Sequence, residues 1–510
     1  MDFMNAVRQT LDNEYNVSIT ENGAVGYRTT GKELLDLNFA VASLRKMTDA
    51  EVAKRFKKAF CEDKVLAMKW LFYARDVRGG LGERRLFRVV LAELVKSNPE
   101  MVIPVMNLIP EYGRYDDLWC LLDDKEAANV IYQIVDNQLK SDWENMAAKK
   151  PISILAKWMP SINASSAKTK EYGKKLCKAL KMTEREYRKA LSKLRNYLDV
   201  VEVKMSDKNW SEIKYEAVPS RANLIYNSAF LRNDEARRRE YLGQLEKGAT
   251  KINASTLFPH DIVHKYMSNG WGRSVKAKDA TIEALWKALP DTVKGCGNTI
   301  VVADGSGSMT CTVDHNSGVT ALTVANALAI YFAERSSGDF KDKYITFSSR
   351  PQLVDFSKCK NLHDKLQTAL MHNEVADTNI EKVFDLILTT AINGHMHQED
   401  LPQNILIISD MEFNGCARCN SGRPNQTLFN SIAQKYARAG YKMPRMVFWN
   451  VNSRTGTIPV KENELGVALV SGFSVNVAKM VMSGKTDLFE CLLETLNSER
   501  YAPVEEALNQ

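Results

Sequence analysis

The feature that most constrains the fold is a regular alternation of two kinds of segment after residue 297. The shorter segments are apolar along their whole length and rich in β-branched residues, which predicts strands buried on both faces. The longer segments have the apolar spacing of amphipathic helices. Because such strands alternate with helices in parallel sheets, an α/β domain is predicted. The predicted strands are 299–304, 343–348, 404–409, 445–450 and 466–471, and the predicted helices are 319–335, 379–392, 425–439 and 485–496.

Three oxygen-bearing side chains follow the first of these strands at alternate positions. Asp304, Ser306 and Ser308 lie in the sequence ADGSGSM, where two glycines relax the turn. Binding sites of parallel sheets form at the carboxyl ends of the strands, which is where this loop begins. A carboxylate and two hydroxyls are hard oxygen donors that suit Mg²⁺ and can also bind Mn²⁺ or Ca²⁺.

The same loop lacks the residues of three other motifs. A nucleophile elbow needs Gly-x-Ser-x-Gly, a P-loop needs Lys after its glycines, and a dinucleotide-binding loop needs Gly where Thr310 stands. Two further oxygen donors occur at other segment ends, since Asp410 follows a predicted strand and Thr378 precedes a predicted helix. The predicted ligands of a divalent cation are therefore Asp304, Ser306, Ser308, Thr378 and Asp410.

This pattern resembles the metal-ion-dependent adhesion site of von Willebrand factor A domains. The resemblance implies a doubly wound parallel sheet and coordination, directly or through water, by Ser306, Ser308 and Thr378. It also implies that Asp304 and Asp410 act through water or through hydrogen bonds to the serines, and that the sixth metal position takes water or a partner's carboxylate. The simpler alternative, in which the serines only cap the next helix, leaves Thr378 and Asp410 unexplained.

The chain before residue 290 has a different character. Segments of helical apolar spacing follow one another, separated by Gly, Pro, Asn or Asp, as in residues 82–97. This arrangement predicts an all-α, HEAT-like stack of short helices, although no constant repeat period is present. A chain of 510 residues also exceeds the usual length of one domain. We therefore predict a helical repeat region over 1–290 and an α/β domain over 297–510.

Positive charge is concentrated in residues 168–195. This stretch holds eleven Lys and Arg against three Glu, so its net charge of +8 exceeds the +7 of the whole chain. Such a run is either a solvated helix face or a phosphate-binding surface, and the sequence favours neither. Tyr172, Tyr187 and Tyr197 lie among the cations and could stack on bases, but we expect at least one of them to be core.

A smaller basic group flanks Gly79 and Gly80, where a turn between two helices is the slightly favoured explanation of the glycines. The candidate RNA-binding residues of both groups are Lys168, Lys170, Lys174, Lys175, Lys178, Lys181, Arg185, Arg188, Lys189, Arg78, Arg84 and Arg85.

A helical repeat region followed by an A domain resembles the Ro ribonucleoprotein family with its TROVE module. The segments ARDVRGGLGERRLF (74–87), IPEYGRYDDL (109–118) and ALVSGFSVNVAKMV (468–481) look more closely like an uncharacterised TROVE-like family of bacteria, phages and plants. The resemblance implies a noncatalytic RNA-binding protein that takes small noncoding RNAs or single-stranded RNA ends. Its role would be that of a ribonucleoprotein scaffold or an RNA quality-control factor.

Two other functions remain open at this point. The metal could grip an acidic residue of a partner protein in a protein-interaction scaffold, or it could serve a nuclease, although two-metal nucleases need more converging carboxylates. A weaker alternative is a zinc site formed by Cys416 and Cys419 with His395 and His397. Scattered cysteines and the lack of an apolar run of about 18 residues predict a cytoplasmic protein that does not enter membranes. With a noncatalytic binding function we expect no small-molecule substrate.

Overall fold

A computed structural model of the chain describes residues 4, 15–19, 25–267, 274–293, 298–314, 317–348, 350–373, 379–412, 426–454, 456, 458, 467–477 and 488–509. The chain divides into two compact units. The first, here called the sheet unit, comprises Met1–Glu51, Lys57–Glu62 and Leu257–Thr495. The second, the helical unit, comprises Val52–Phe56, Asp63–Thr256 and Leu496–Gln510. These two units are defined by compactness, whereas the predicted domains are defined by the change of sequence character near residue 297. The predicted domain boundaries therefore stay a prediction.

Residues 33–246 form helices joined by short turns, and this described stretch contains no strand, as the apolar spacing predicts. This stretch also contains four short 3₁₀ helices, at Ile103–Leu108, Tyr115–Leu121, Trp210–Glu212 and Tyr215–Ala217. The helices are α1 (Glu33–Phe39), α2 (Val41–Leu44), α3 (Asp49–Glu62), α4 (Lys64–Arg75), α5 (Arg84–Ser97), α6 (Pro99–Val102), α7 (Ile109–Tyr112), α8 (Lys125–Ala147), α9 (Leu155–Trp158), α10 (Ala167–Ala179), α11 (Glu184–Tyr197), α12 (Val201–Ser206), α13 (Ser220–Asn233) and α14 (Glu235–Glu246).

Side-chain caps fix where the basic helices begin. Ser166 accepts a hydrogen bond from the backbone N–H of Thr169 and so caps α10. Thr183 and Glu186 form a reciprocal capping box at the start of α11, with the Glu186 carboxylate accepting from the Thr183 N–H at 2.8 Å. Each cap satisfies N–H groups that a helix leaves unpaired in its first turn. The two helices therefore begin where their sequences dictate.

The turn between α4 and α5 depends on glycine and on buried charge. A Cβ on Gly80 would lie 1.9 Å from the carbonyl oxygen of Tyr73, so this position accepts only glycine. Below the turn, the fully buried carboxylate of Asp117 accepts hydrogen bonds from Arg75 Nε at 2.8 Å and Arg88 Nε at 2.6 Å. The double glycine thus serves close backbone packing, as the turn explanation expects.

The sheet unit is built around a six-stranded sheet of order β5-β4-β3-β6-β7-β8. Its strands are β3 (Thr299–Asp304), β4 (Lys343–Phe347), β5 (Leu353–Asp355), β6 (Asn404–Ser409), β7 (Arg445–Asn450) and β8 (Val467–Ser471). A separate antiparallel pair consists of β1 (Val17–Ile19) and β2 (Val25–Tyr27), so the prediction of an all-α region over 1–290 is wrong at these two short strands. Five of the six sheet strands are parallel and lie within one residue of the predicted bounds.

The prediction of a wholly parallel sheet is wrong at one edge, because β5 pairs antiparallel with β4. The sheet is therefore mixed. Only Val354 of the three β5 residues is buried, so this strand has no continuous apolar run that the sequence could reveal.

Helices connect the strands as the α/β pattern predicts. The helix α17 (Ala321–Arg335) lies between β3 and β4, α19 (Ile380–Asn393) precedes β6, and α20 (Gln426–Arg438) lies between β6 and β7. Among the described residues no helix has both the length and the apolar character that a membrane crossing needs. The remaining helices are α15 (Pro259–Tyr266), α16 (Ala280–Lys287), α17 (Ala321–Arg335), α18 (Leu362–Met371), α19 (Ile380–Asn393), α20 (Gln426–Arg438), α21 (Leu488–Leu496) and α22 (Ala502–Leu508).

Candidate metal centre and basic surface

The pairing of β3 with β6 brings two predicted ligands together. The strands run parallel in register, with Ala303 opposite Ile408, so Asp304 at the end of β3 lies beside the residues that follow β6. Asp304 is 1% exposed and Asp410 is fully buried. The carboxylates of Asp304 and Asp410 therefore lie near each other, buried at the same end of the two strands.

Serine hydroxyls connect these two carboxylates. The Oγ atoms of Ser306 and Ser308 lie 3.0 Å apart. The backbone N–H of Ser306 donates to Asp304 Oδ1 at 2.9 Å, and the Ser306 and Ser308 side chains act to lower the pKa of Asp304 and Asp410, respectively. We call Asp304, Ser306, Ser308 and Asp410 the hydroxyl–carboxylate cluster. The alternating spacing in the loop thus directs three of the predicted ligands toward one point, opposite the fourth.

The cluster holds two like charges in a buried place. Burial raises the pKa of Asp304 against the hydrogen bonds from Ser409 and Ser306, which lower it. Burial first, and then the charge of Asp304, raise the pKa of Asp410 to about 7. Two neighbouring buried carboxylates repel each other, and a cation between them would relieve this repulsion.

One carboxylate oxygen of the cluster lacks a hydrogen-bond donor. Asp410 Oδ2 is buried and accepts no hydrogen bond from any described residue, while the closest approach of an ion-pair partner is 3.6 Å, to Arg454 Nη2. Since buried acceptors are almost always satisfied, this atom needs a partner. The orphaned oxygen, the two hydroxyls and the facing carboxylate together form a donor set that fits Mg²⁺ or a similar hard cation.

Thr378, the fifth predicted ligand, lies outside the described residues, so its place is not assigned. Asn373, five residues earlier in the chain, borders the cluster. A Cβ on Gly305 would lie 3.0 Å from Asn373 Oδ1, and Asn373 Nδ2 is buried without a partner among the described residues. The chain segment that leads to Thr378 therefore starts next to the loop that carries Ser306 and Ser308.

The sequence did not single out Ser409, Lys46 or Arg454 around the cluster, and it offered Glu412 only as a further acid of the nuclease alternative. Ser409 donates a 2.6 Å hydrogen bond to Asp304, and its position directly before Asp410 was an available signal. Glu412 accepts from the backbone N–H of Arg454 at 2.8 Å. Lys46 lies close enough to Asp410 and Arg454 to feel their charges, and burial lowers its pKa. No sequence pattern relates Lys46 or Arg454 to the loop.

The structure does not describe all four residues of the alternative zinc site. Cys416 and Cys419 lie outside the described residues, and His395 and His397 are exposed. Among the residues that the structure describes, no three His, Cys, Asp or Glu side chains are grouped closely enough to hold a metal ion. Any metal held by the described part of the chain would therefore need hydroxyl, amide or carbonyl ligands as well.

The helices α10 and α11 carry an exposed set of cations, together with Lys181 in the turn between them. None of these side chains forms an ion pair with an acid in the described part of the chain. Their spacing of three or four residues within each helix places neighbours on one side. We call this set the basic surface; it consists of Lys170, Lys174, Lys178, Lys181, Arg185, Arg188 and Lys189.

Two of the predicted RNA-binding lysines are engaged elsewhere. Lys168 and Lys175 both pair with Asp123, at 2.9 Å and 2.8 Å, and both also pair with Glu171. Tyr172 donates to the same Asp123 carboxylate. These lysines are therefore less available to phosphates than their neighbours on the basic surface.

The other two tyrosines of this stretch differ in exposure. Tyr187 is 1% exposed and its hydroxyl donates to the carbonyl of Pro160 at 2.9 Å, so it is core. Tyr197 is 38% exposed and donates to the carbonyl of Lys150. The expectation that at least one of the tyrosines is core is therefore met, and Tyr197 is the one left with an exposed ring.

The smaller basic group surrounds the start of α5. Arg78, Arg84 and Arg85 are exposed, and Arg78 donates to the carbonyl of Glu111 at 2.9 Å. Burial, together with the positive charges of Arg114 and Arg88, lowers the pKa of Arg84. These three arginines form a cationic patch at the surface. The patch lies next to the buried charges that stabilise the turn between α4 and α5.

Comparison with known proteins gives a relative in sequence and a similar solved structure. The chain is 29% identical over 515 residues to the uncharacterised protein L728 of Acanthamoeba polyphaga mimivirus, an alignment that covers 92% of this chain and 85% of the relative. Its structure is similar to the crystal structure of the Deinococcus radiodurans RO (RSR) protein, with a TM-score of 0.45, 16% identity, and coverage of 84% of this chain and 92% of that chain.

Two family models match the sequence. Residues 298–505, which contain the sheet strands and the cluster, match a domain of unknown function, DUF7788. Residues 20–111 and 128–299 match a second domain of unknown function, DUF2828. Because the latter match covers more than half of the chain, this protein belongs to the DUF2828 family.

Proposed function

We propose that this chain is a noncatalytic RNA-binding protein with a Ro-like role, as a ribonucleoprotein scaffold or an RNA quality-control factor. The basic surface binds the RNA phosphates. The observation that carries the proposal is the set of seven exposed cations on two consecutive helices and the turn between them, none of them paired with an acid among the described residues. Small noncoding RNAs and single-stranded RNA ends are the expected partners.

The lack of acidic partners favours a binding surface over an ordinary solvated helix face. Some exposed cations elsewhere in the helical unit pair with acids one turn away, as Lys140 does with Asp136 and Arg239 with Glu235, whereas the basic surface concentrates seven cations that have no such pair in the described chain. Such pairs stabilise a helix modestly, whereas a run of like charges costs stability unless a counterion compensates it. RNA phosphates are suitable counterions, and each one neutralised should add about −0.7 to the slope of log affinity against log salt.

We propose further that the hydroxyl–carboxylate cluster holds Mg²⁺ or a similar divalent cation. The ion would supply a fixed positive charge between the two carboxylates. Asp304 and Asp410 provide the negative charge, and Ser306 and Ser308 provide neutral oxygens that orient the carboxylates. A single-ion site rich in hydroxyls suits ligand holding better than hydrolysis, which supports a noncatalytic role.

The same cluster supports a second candidate function, a protein-interaction scaffold. An ion there could take a carboxylate from a partner protein, and the neighbouring Arg454 and Lys46 would add to the attraction for an acidic group. The two functions differ in their need for metal. RNA binding by the basic surface survives chelation, whereas capture of an acidic partner is lost in a chelator.

The test of RNA binding compares two variants of equal charge change. In the first, Lys174, Lys178 and Lys181 become Glu; in the control, the exposed Lys149, Lys247 and Lys251, which lie outside the basic surface, become Glu. Affinity for a labelled single-stranded RNA is measured over a range of salt concentrations.

The first variant should lose at least about tenfold more affinity than the control and show a shallower salt slope, because about three phosphate contacts are lost. Equal losses of affinity in the two variants would mean that net charge determines RNA binding and that the basic surface has no special role. No binding by the parent at low salt would favour the protein-interaction scaffold.

A further inference from the structure

A cavity of about 260 Å³ opens beside the basic surface. Its walls come from the segment after α9, from α11 and from α12, all within the helical unit. Arg188 belongs both to the cavity lining and to the basic surface. The volume lies just below the roughly 300–1,000 Å³ of pockets for drug-sized ligands, which suits a ligand of one or two rings.

The cavity has an apolar floor and a polar rim. Ile162 and Leu191 are buried and form the floor. Asn163, Ser192 and Asn196 are exposed at the rim, and their side chains make no hydrogen bond with other described residues. A flat ring would therefore meet apolar contacts on its face and amide groups at its edge.

The wall of the cavity is fixed before any ligand binds. The guanidinium of Arg195 donates to the carbonyls of Ala156 and Met159 at 2.8 and 2.9 Å, and to the Ser161 hydroxyl at 3.2 Å. The Tyr187 hydroxyl is held by the carbonyl of Pro160. Because Arg195 and Tyr187 are already hydrogen bonded, binding a ligand need not order these two side chains.

We propose that this cavity receives one nucleobase of a single-stranded RNA whose phosphates lie on the basic surface. The base packs on Ile162 and Leu191, its polar edge meets Asn163 and Asn196, and Arg188 binds the adjoining phosphate. This inference rests on the proposed function and specifies it. Single-stranded bases are typically recognised by such a combination of ring packing and edge hydrogen bonds, and the cationic lining favours an anionic strand over a cationic ligand.

The test uses two strands that differ only in their bases. One is a labelled oligoadenylate or oligouridylate, and the other is an abasic strand of equal length with the same phosphates. The variant Ser192→Phe fills the cavity mouth from an exposed position, and the double variant Asn163→Ala with Asn196→Ala removes the rim amides. Ser97→Phe, an exposed serine on α5 outside the cavity, is the matched control. Thermal unfolding followed by circular dichroism checks that all variants fold.

The parent should bind the base-containing strand about tenfold more tightly than the abasic strand, the size of one base contact. Ser192→Phe should remove that preference while leaving abasic binding and its salt slope unchanged, and Ser97→Phe should behave as the parent. Equal parental affinity for both strands would overturn the base pocket and leave the basic surface standing. A Ser192→Phe variant that keeps the parental preference would overturn it too. No binding of either strand would overturn the proposed function and the pocket together.

Discussion

Both units of the molecule bury carboxylates, but they satisfy them differently. In the helical unit, Asp117 accepts hydrogen bonds from the guanidinium groups of Arg75 and Arg88. In the sheet unit, Asp304 and Asp410 face each other, with hydroxyl and backbone donors but no guanidinium within hydrogen-bond distance in the described chain. In the first arrangement two guanidinium groups donate directly to one carboxylate, whereas in the second the guanidinium of Arg454 stays 3.6 Å from Asp410 and two carboxylates lie side by side.

This difference separates a structural charge from a site. A buried acid paired with arginines needs nothing further, and removing it leaves cations stranded. Two buried acids that repel each other carry a cost that a bound cation can offset, which is a common property of functional positions. The predictions below test this contrast in order of expected effect.

The largest effect is expected from Asp117→Ala. The substitution leaves Arg75 and Arg88 without their shared buried carboxylate, so the free energy of unfolding should fall by about 3–5 kcal/mol. Urea denaturation measures the change. Asp136→Ala, which removes an exposed pair with Lys140, is the control and should cost about 0.5 kcal/mol or less. Similar losses in both variants would mean that Asp117 is not a structural charge.

The double variant Ser306→Ala and Ser308→Ala should lose the stabilisation that Mg²⁺ gives the parent. A ligand at 100 times its dissociation constant stabilises the folded state by about 2.7 kcal/mol, and this gain should vanish when two oxygen ligands are removed. Thermal unfolding with Mg²⁺ and with chelator measures it. A double variant that gains as much from Mg²⁺ as the parent would place the ion elsewhere.

Asp410→Asn should act in the opposite direction to Asp117→Ala when metal is absent. It removes one of two repelling charges, so in chelator at pH 8 the free energy of unfolding should rise by about 1–2 kcal/mol. The raised pKa of Asp410 sets the upper limit of this gain, at about 1.4 kcal/mol for each unit by which the pKa is raised. Chemical denaturation measures the change. A loss of several kcal/mol instead would make Asp410 a structural charge like Asp117.

The same variant predicts a change in pH dependence. Because the pKa of Asp410 is raised in the folded chain, from 3.8 to about 7, the folded state binds the proton more tightly than the unfolded state. This contribution to stability is present below pH 4 and is lost as pH rises through 7. In chelator, the parent should therefore lose stability over this window, and Asp410→Asn should lose less. Parallel pH profiles would contradict the assignment.

The smallest effect is expected from Asp123→Asn on the helical unit. Asp123 pairs with Lys168 and Lys175, so neutralising it should leave each lysine with only one acidic partner, Glu171, and strengthen RNA binding up to a few-fold at low salt. Fluorescence anisotropy with a labelled RNA measures the gain, which should shrink as salt rises. A weaker complex would show that these ion pairs support the surface rather than compete with RNA.

Local pattern predicted much of the architecture. The five parallel strands were predicted within one residue because each is apolar throughout, whereas β5 was missed because only Val354 of its three residues is buried. The segment 151–159 has helical spacing but yields only Leu155–Trp158 as helix. Proline and serine at its start favour irregular backbone there.

The candidate sites also have features that the sequence predicted and features that it could not predict. The sequence located Asp304, Ser306, Ser308 and Asp410, because oxygen donors at strand ends follow from the fold class. It could not show that Lys168 and Lys175 pair with Asp123, about 50 residues away, or that Arg454 approaches Asp410. It also gave no sign of the cavity between α11 and α12, which exists only once three chain segments pack together.

By itself the sequence determined the helical and α/β regions, the loop of alternating oxygen donors and the concentration of positive charge in residues 168–195. These are local properties, set by periodicity, caps and composition within a few residues. The tertiary structure decided which charges remain unpaired, which tyrosine is core and where the cavity lies. The physical reason is that the state of a charge depends on burial and on partners far along the chain, which the periodicity of a segment does not encode.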